Sequence, residues 1–170
     1  MGMPTSKRAQ AKMIVSLSPG IHLRRLQKLL GTSFSTTRYH VEGLMKDGEI
    51  VSSKEGRYQR LYPAGTADRS KAAYAVLQSE TARKVLGALA RGDGELRNGD
   101  LCELVRLPRS TVSECTALLS KAGLVRRRVA VDGHATYGIQ EREQTLQLLA
   151  AFERNLLEIA TDRFTDLWDV

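Results

Sequence analysis

Cysteine is scarce in this 170-residue chain: there are two, Cys102 and Cys115, and neither stands in a CxxC or Cys/His cluster. That spacing argues against a thiolate zinc site, and both thiols, set in helical periodicity, are expected to be reduced and half-buried. Histidine is nearly as rare, and His22, His40 and His134 are scattered. There is no Ser/His/Asp arrangement, no HExxH and no phosphate-cradling glycine loop; Gly92-Asp93-Gly94 has no Lys-Ser or Lys-Thr after it. An enzyme is therefore not expected, and no metal, cofactor or small-molecule ligand is indicated. No apolar run approaches the roughly 20 residues that cross a bilayer. The N-terminus lacks the apolar core of a signal peptide. The expectation is a soluble cytoplasmic protein without a membrane partner.

What the chain does have is positive charge. The formal net charge is +7 and the sequence pI about 9.7. Residues 1–67 carry +7, residues 68–140 carry +4 and residues 141–170 carry −4. A basic body suits a polyanion, and an acidic tail suits something else.

It also has an internal repeat. Leu26 to Val51 recurs without a gap 75 positions later as Leu101 to Arg126. The identities are Leu26/Leu101, Leu29/Leu104, Ser35/Ser110, Thr36/Thr111, Leu44/Leu119, Lys46/Lys121 and Gly48/Gly123, with Tyr62/Tyr137 at the same offset. Two copies of one pattern are stronger evidence than either alone. Each copy reads as helix, tight turn, second helix, glycine stop and two strands.

In the first copy, residues 7–18 read as a helix with Ala9, Met13, Ile14 and Leu17 on one face. Leu23, Leu26, Leu29 and Leu30 mark a short second helix closed by Gly31. Ser33 or Ser35 can cap a third, in which Phe34, Thr37, Val41, Leu44 and Met45 should face the core. Gly48 suits the stop, and residues 50–62 form a hairpin around 54–57. The second copy places helices at 80–90, 99–105 and 109–122, with Pro108 leading into the last. Its hairpin, 124–131 and 135–139, turns at Asp132-Gly133-His134. The fold class is mainly α with small β-hairpin wings (α+β): tandem winged helix-turn-helix domains at 7–65 and 80–140. A linker or connecting helix spans 66–79, and 141–170 is an amphipathic C-terminal helix. Leu149, Phe152, Leu156, Ile159, Phe164 and Leu167 belong to its wide apolar stripe, which needs cover. Pairing with a second copy, to give a homodimer, is favoured over packing back.

On a wheel of 100° per residue, the first third helix turns Ser35, Thr36, Tyr39, Gly43 and Lys46 outward, with Arg38 and His40 on its flanks. Such a polar face can read base edges in a major groove: Arg38 by gripping a guanine or a phosphate, Tyr39 by reaching a phosphate or a thymine methyl. Gly43 would allow close approach. The alternative is a solvated face, disfavoured by the cations Lys54, Arg57 and Arg60 on the wing beside it. In the second copy Ser110, Thr111, Glu114, Ala117 and Lys121 point outward, with Arg109 and Ser113 near the start. Glu114 opposes phosphates unless a cytosine amino group meets it. The wing carries Arg126, Arg127 and Arg128, of which the first and third share a strand face. This copy reads as a phosphate clamp more than a base reader.

The runs 19–26, 31–41 (Gly-Thr-Ser-Phe-Ser-Thr-Thr-Arg-Tyr-His-Val) and 48–51 (Gly-Glu-Ile-Val) resemble archaeal winged-helix regulators related to the ArsR and MarR families. The doubled plan is similar to archaeal regulators with two helix-turn-helix domains. The resemblance is close over 7–65, looser over 80–140, and departs at Glu114 and at the missing Tyr-His pair. It implies a transcriptional regulator that binds double-stranded DNA, nucleoid-associated, with the third helix of domain one in the major groove. A sequence-tolerant chromatin or architectural protein would use the same surfaces. A protein-interaction scaffold, as in condensin-associated winged helices, need not be so basic, and an RNA- or ribosome-binding factor would share the phosphate contacts.

Overall fold

The computed structural model describes residues 4–55, 58–92 and 94–168, the last six by backbone alone. The chain is mainly helical with small antiparallel sheets, an α+β arrangement. It divides into two compact units, Met1–Ala75 with Phe152–Val170, and Val76–Ala151.

The first unit runs α1 (Lys7–Leu17), β1 (Ile21–His22), α2 (Leu23–Leu30), α3 (Phe34–Lys46), β2 (Ile50–Glu55) and β3 (Tyr58–Pro63), then α4 (Asp68–Leu77) to the boundary. The second runs α5 (Glu80–Arg91), β4 (Leu96–Arg97), α6 (Asn98–Val105), α7 (Arg109–Lys121), β5 (Val125–Val129) and β6 (Ala135–Ile139). In each, a two-residue strand completes a three-stranded sheet, ordered β1-β3-β2 and β4-β6-β5. These short strands escape a reading by periodicity, since two residues have no period. Helix α8 (Arg142–Trp168) begins in the second unit and ends in the first.

The offset of 75 holds in space for β1/β4, α2/α6 and α3/α7. It fails on the returning strand. Ser52 pairs with Leu61, whereas Arg127, its counterpart, pairs with Tyr137. The second hairpin has one more residue, so Tyr137 occupies the place of Leu61 and the Tyr62/Tyr137 identity is not a structural equivalence. Another copy difference falls where α2 and α6 stop. Gly31 takes the left-handed conformation at φ 63°, and Arg106 is forced into it at φ 55°, where a β-carbon is costly.

Ile14, Leu26, Leu30, Leu44, Ile50 and Leu61 centre the first core. Burying each such side chain contributes about 1.5–3 kcal/mol. Along α3 the seam is filled by Thr37, Val41 and Leu44. Phe34 and Met45, expected in the core, are 45% and 36% exposed. Phe34 lies in the first turn, ahead of the seam, and Met45 is a further 100° around the helix from Leu44. Thr37 is polar yet buried because its hydroxyl donates to the Ser33 carbonyl (3.0 Å) and meets Thr32 Oγ1 at 2.8 Å.

The C-terminal helix, expected to pair with a second copy, buries several of its described apolar residues within the chain. Ile159 joins the core of the first unit at 4% exposure. Phe152 is buried and stacks on Tyr74, ring centroids 6.5 Å apart, while Leu149 is buried in the second unit. Leu156 is half-buried, and the side chains of Phe164 and Leu167 lie outside the described residues. Among the described residues of the stripe, Leu149, Phe152 and Ile159 are thus buried within the chain. The stretch expected as a linker or connecting helix holds α4, whose Ala73 and Leu77 are buried.

Candidate nucleic-acid interface

Helix α3 starts at Ser33, whose Oγ accepts the Thr36 backbone N–H at 3.1 Å, satisfying one orphan donor of the first turn. Ser35 Oγ and Thr36 Oγ1 both meet Ser33 Oγ, at 2.9 and 2.8 Å, so three hydroxyls cluster at the helix start. Ser35, Thr36, Arg38, Tyr39 and Lys46 are all exposed, Tyr39 at 74%. The Tyr39 ring meets His40 edge-on at 5.6 Å. Arg38 Nε donates to Glu42 Oε1 at 2.7 Å, a surface pair one helical turn apart that is worth a few tenths of a kcal/mol. A phosphate or guanine can displace it.

Gly43 is less open than the wheel suggests. A β-carbon there would lie 3.7 Å from the Arg8 guanidinium of α1. Arg8 is paired with Asp47 and Glu49, and Lys12 with Glu49. Lys12, followed by Arg8, holds the Glu49 carboxyl below the usual carboxylate range. This side of α3 is occupied by its own domain.

Helix α2 carries further cations that the helical period of α3 does not reveal. Arg24, Arg25 and Lys28 are exposed on it, and α2 packs directly on α3. Their counterparts on α6 are Gly99, Asp100 and Glu103. Carrying the offset of 75 through α2 exposes the contrast: one helix pair is edged with cations, the other with carboxylates.

The wing cations separate by sheet face. Lys54 pairs in register with Gln59, on the face that continues Ser52 and the buried Leu61. It is exposed on the side nearer the helices. Arg60 is on the opposite face, paired in register with His22. Its guanidinium is paired with Glu55 and donates to the Gly20 carbonyl at 3.0 Å, leaving the side chain 15% exposed. Arg60, expected as a phosphate contact, is thus tied by these two bonds at the base of the wing. Arg57 lies outside the described residues. The His22 ring meets Tyr58 at a tilt of 52°, with ring centroids 5.0 Å apart. Burial, followed by Arg60, keeps its imidazole below its ordinary pKa.

In the second unit Arg109, Ser110 and Ser113 are exposed and Thr111 is half-buried. Pro108 replaces the Ser33 cap and makes no side-chain bond. Ser113 Oγ accepts from Asn98 Nδ2 at 3.0 Å, which ties α7 to α6. Arg126, Arg127 and Arg128 are exposed. Arg127 shares a face with Tyr137, the face packed on the helices, while Arg126 and Arg128 pair with Gly138 and Thr136 on the other. There Glu95 accepts from Arg126 Nε at 3.3 Å and lies 3.4 Å from Arg128 Nε. Thr136 Oγ1 donates to its second oxygen at 2.6 Å. The Thr136 hydroxyl first, then Arg128 and Arg126, hold the Glu95 carboxyl below the usual range. Burial, aided by Glu114, pushes the Cys115 thiol up, as suits an inert core thiol.

Among the described residues no group of three or more His, Cys, Asp or Glu side chains could hold a metal. No helix among them is long and apolar enough to cross a membrane.

A helix, a turn, a second helix with an exposed polar face, and a three-stranded wing, built twice, make this a tandem winged helix-turn-helix protein. The family model of the IclR helix-turn-helix domain matches residues 82–129, from α5 through β5. The resemblance read from residues 7–65 lies in the other unit. No curated protein matches the chain. Among solved structures the chain is similar to a possible HxlR family transcriptional factor from Thermoplasma volcanium GSS1: 17% identity, TM-score 0.44, 66% of this chain and 95% of that one. It is also similar to MepR, a transcription regulator of the Staphylococcus aureus multidrug efflux pump MepA, at 18% identity and TM-score 0.38, over 59% of this chain and 87% of that one. A third similarity is to the mRNA-binding domain of elongation factor SelB from E. coli in complex with SECIS RNA: 13% identity, TM-score 0.32, 81% of this chain and 100% of that one. At such identities and scores these likenesses establish no shared function.

Proposed function

We propose that this chain is a transcriptional regulator that binds double-stranded DNA inside the cell, with α3 in the major groove. The observation that carries the reading is the outward surface of α3 and α2. It joins a hydroxyl cluster at the helix start, exposed Arg38 and Tyr39, and the flanking Arg24, Arg25 and Lys28. Residues at the start of a recognition helix reach base edges, while the preceding helix crosses the backbone. Hydroxyls, a guanidinium and a phenol supply the donors and acceptors that base reading needs. Lys54 extends the cationic edge onto the wing. In the second unit Asp100, Glu103 and Glu114 make the helix pair a poor match for phosphates, and contact shifts to Arg109 and the arginines of β5. One chain therefore carries two unlike DNA-binding units, and bivalent binding needs no second copy. We place no dimer interface on the buried stripe of α8.

The test is a competition of duplex DNA against structured RNA at several salt concentrations. Duplex should win. With about six phosphates contacted, affinity should fall roughly 10³-fold between 50 and 200 mM salt. Structured RNA displacing duplex at equal concentration would refute the reading, and affinity flat in salt would refute its electrostatic part.

A further inference from the structure

The back of the second wing holds a constellation that the helix-turn-helix does not use. Arg126 and Arg128 stand two residues apart on one face of β5, roughly 6.6 Å along the strand. That is close to the separation of neighbouring phosphates on a nucleic-acid strand. Two guanidiniums side by side repel and carry much rotamer freedom. Here one carboxylate gathers both. Glu95 receives Arg126 Nε and faces Arg128 Nε, 3.3 and 3.4 Å away, and is itself fixed by the Thr136 hydroxyl. Gly138 supplies the room: a β-carbon there would come within 3.1 Å of Glu95 Cγ and 3.4 Å of Arg126 Nε. Arg126 donates to Glu95 through Nε, and the arginine side chains still reach solvent, 47% and 64% exposed. Glu95 itself is only 22% exposed. A carboxylate placed merely to soften the positive charge would have no need of a hydroxyl brace and a glycine cut-out.

We infer that Arg126 and Arg128 form a preorganised fork for nucleic-acid phosphates on the back of this wing, and that Glu95 is its positioning residue. The inference rests on the DNA-binding reading above. Preorganisation and charge predict opposite signs for one substitution. Glu95→Ala raises the net charge by one, so charge alone predicts tighter binding to a random-sequence duplex and a steeper salt dependence. Loss of positioning makes binding weaker, about threefold to tenfold, because two long side chains must be ordered on contact. The salt slope then falls by about 0.9, the share of one phosphate. Thr136→Val leaves the charge unchanged and should weaken binding in the same direction, which carries the test even where Glu95→Ala does not fold.

The experiment measures duplex affinity against salt for the full chain, wild type beside Glu95→Ala, Thr136→Val and Arg126→Ala/Arg128→Ala, with circular dichroism to verify folding. Weaker binding and a reduced slope for folded Glu95→Ala, or for Thr136→Val where Glu95→Ala does not fold, support the inference. Equal or tighter binding overturns it. A double arginine variant that binds like wild type overturns the fork alone and leaves the DNA-binding reading standing. A wild-type chain that binds no duplex overturns both.

Discussion

Replacing Ile159 with alanine separates two fates for the C-terminal helix. Ile159 is 4% exposed and belongs to the core cluster that includes Ile14, Leu26 and Leu44. The change removes three carbons, worth about 0.8 kcal/mol each, and leaves a partly unfilled cavity, for a total of about 3 kcal/mol. Leu157, two positions earlier and 69% exposed, is the control: its replacement by alanine should stay within about 0.5 kcal/mol. Urea unfolding followed by circular dichroism, at two protein concentrations a hundredfold apart, gives the answer. A helix packed on its own unit loses the same stability at both concentrations. A helix that stabilises the chain by pairing with a second copy makes wild-type stability rise across that range by mass action, by about 2.7 kcal/mol per mole of dimer or about 1.4 kcal/mol per chain. A wild-type midpoint that rises with concentration, and an Ile159→Ala variant that loses this dependence, would refute the packing described here.

Further substitutions test other parts. The His22 imidazole is kept neutral by burial and then by Arg60, against Glu55, so the unfolded chain takes up its proton first as pH falls. Stability should be full above about pH 6.5 and decline below it; His22→Phe should flatten the decline, and an unchanged pH profile of thermal unfolding would count against this assignment. Arg106 holds the left-handed conformation that Gly31 holds in the first unit. Arg106→Gly should stabilise the second unit by about 1 kcal/mol, relief of the β-carbon clash less the added freedom of the unfolded chain; a lowered melting temperature would show that the arginine side chain matters more. On duplex DNA, Lys54→Ala should weaken binding to every sequence alike and reduce the salt slope by about 0.9. Arg38→Ala should cost about 1–3 kcal/mol on a preferred site and less on random sequence. Equal losses on both duplexes for Arg38→Ala would remove it from base reading.

Much of this was legible in the residues, for identifiable reasons. Leu26/Leu101, Leu44/Leu119 and the glycines that close the helices specify the helix-turn-helix directly, because helical period and stop signals are local. The exposed face of α3 followed from the same period once Val41 was set in the core. What escaped depends on pairing across the chain. β1 and β4 exist only because β3 and β6 lie beside them. Arg60 looks like any wing cation until Glu55 and the Gly20 carbonyl are brought around it. The Tyr62/Tyr137 match disappears because one extra residue in a hairpin changes the register. The apolar stripe of α8 shows that the helix must be covered and says nothing of by what. Glu95, alone in a loop in the sequence, acquires a role only where Thr136, Arg126 and Arg128 converge on it.

Base reading by α3 of the first unit would leave its mark on the sequences that the chain selects. Its most direct test is selection of bound duplexes from a random pool by the full chain and by Tyr39→Ala/Arg38→Ala. A defined motif is expected for the wild type and near-uniform recovery for the variant, with overall duplex binding retained through the remaining cations. A motif that survives intact in the variant, or wild-type recovery as flat as the input pool, would contradict it.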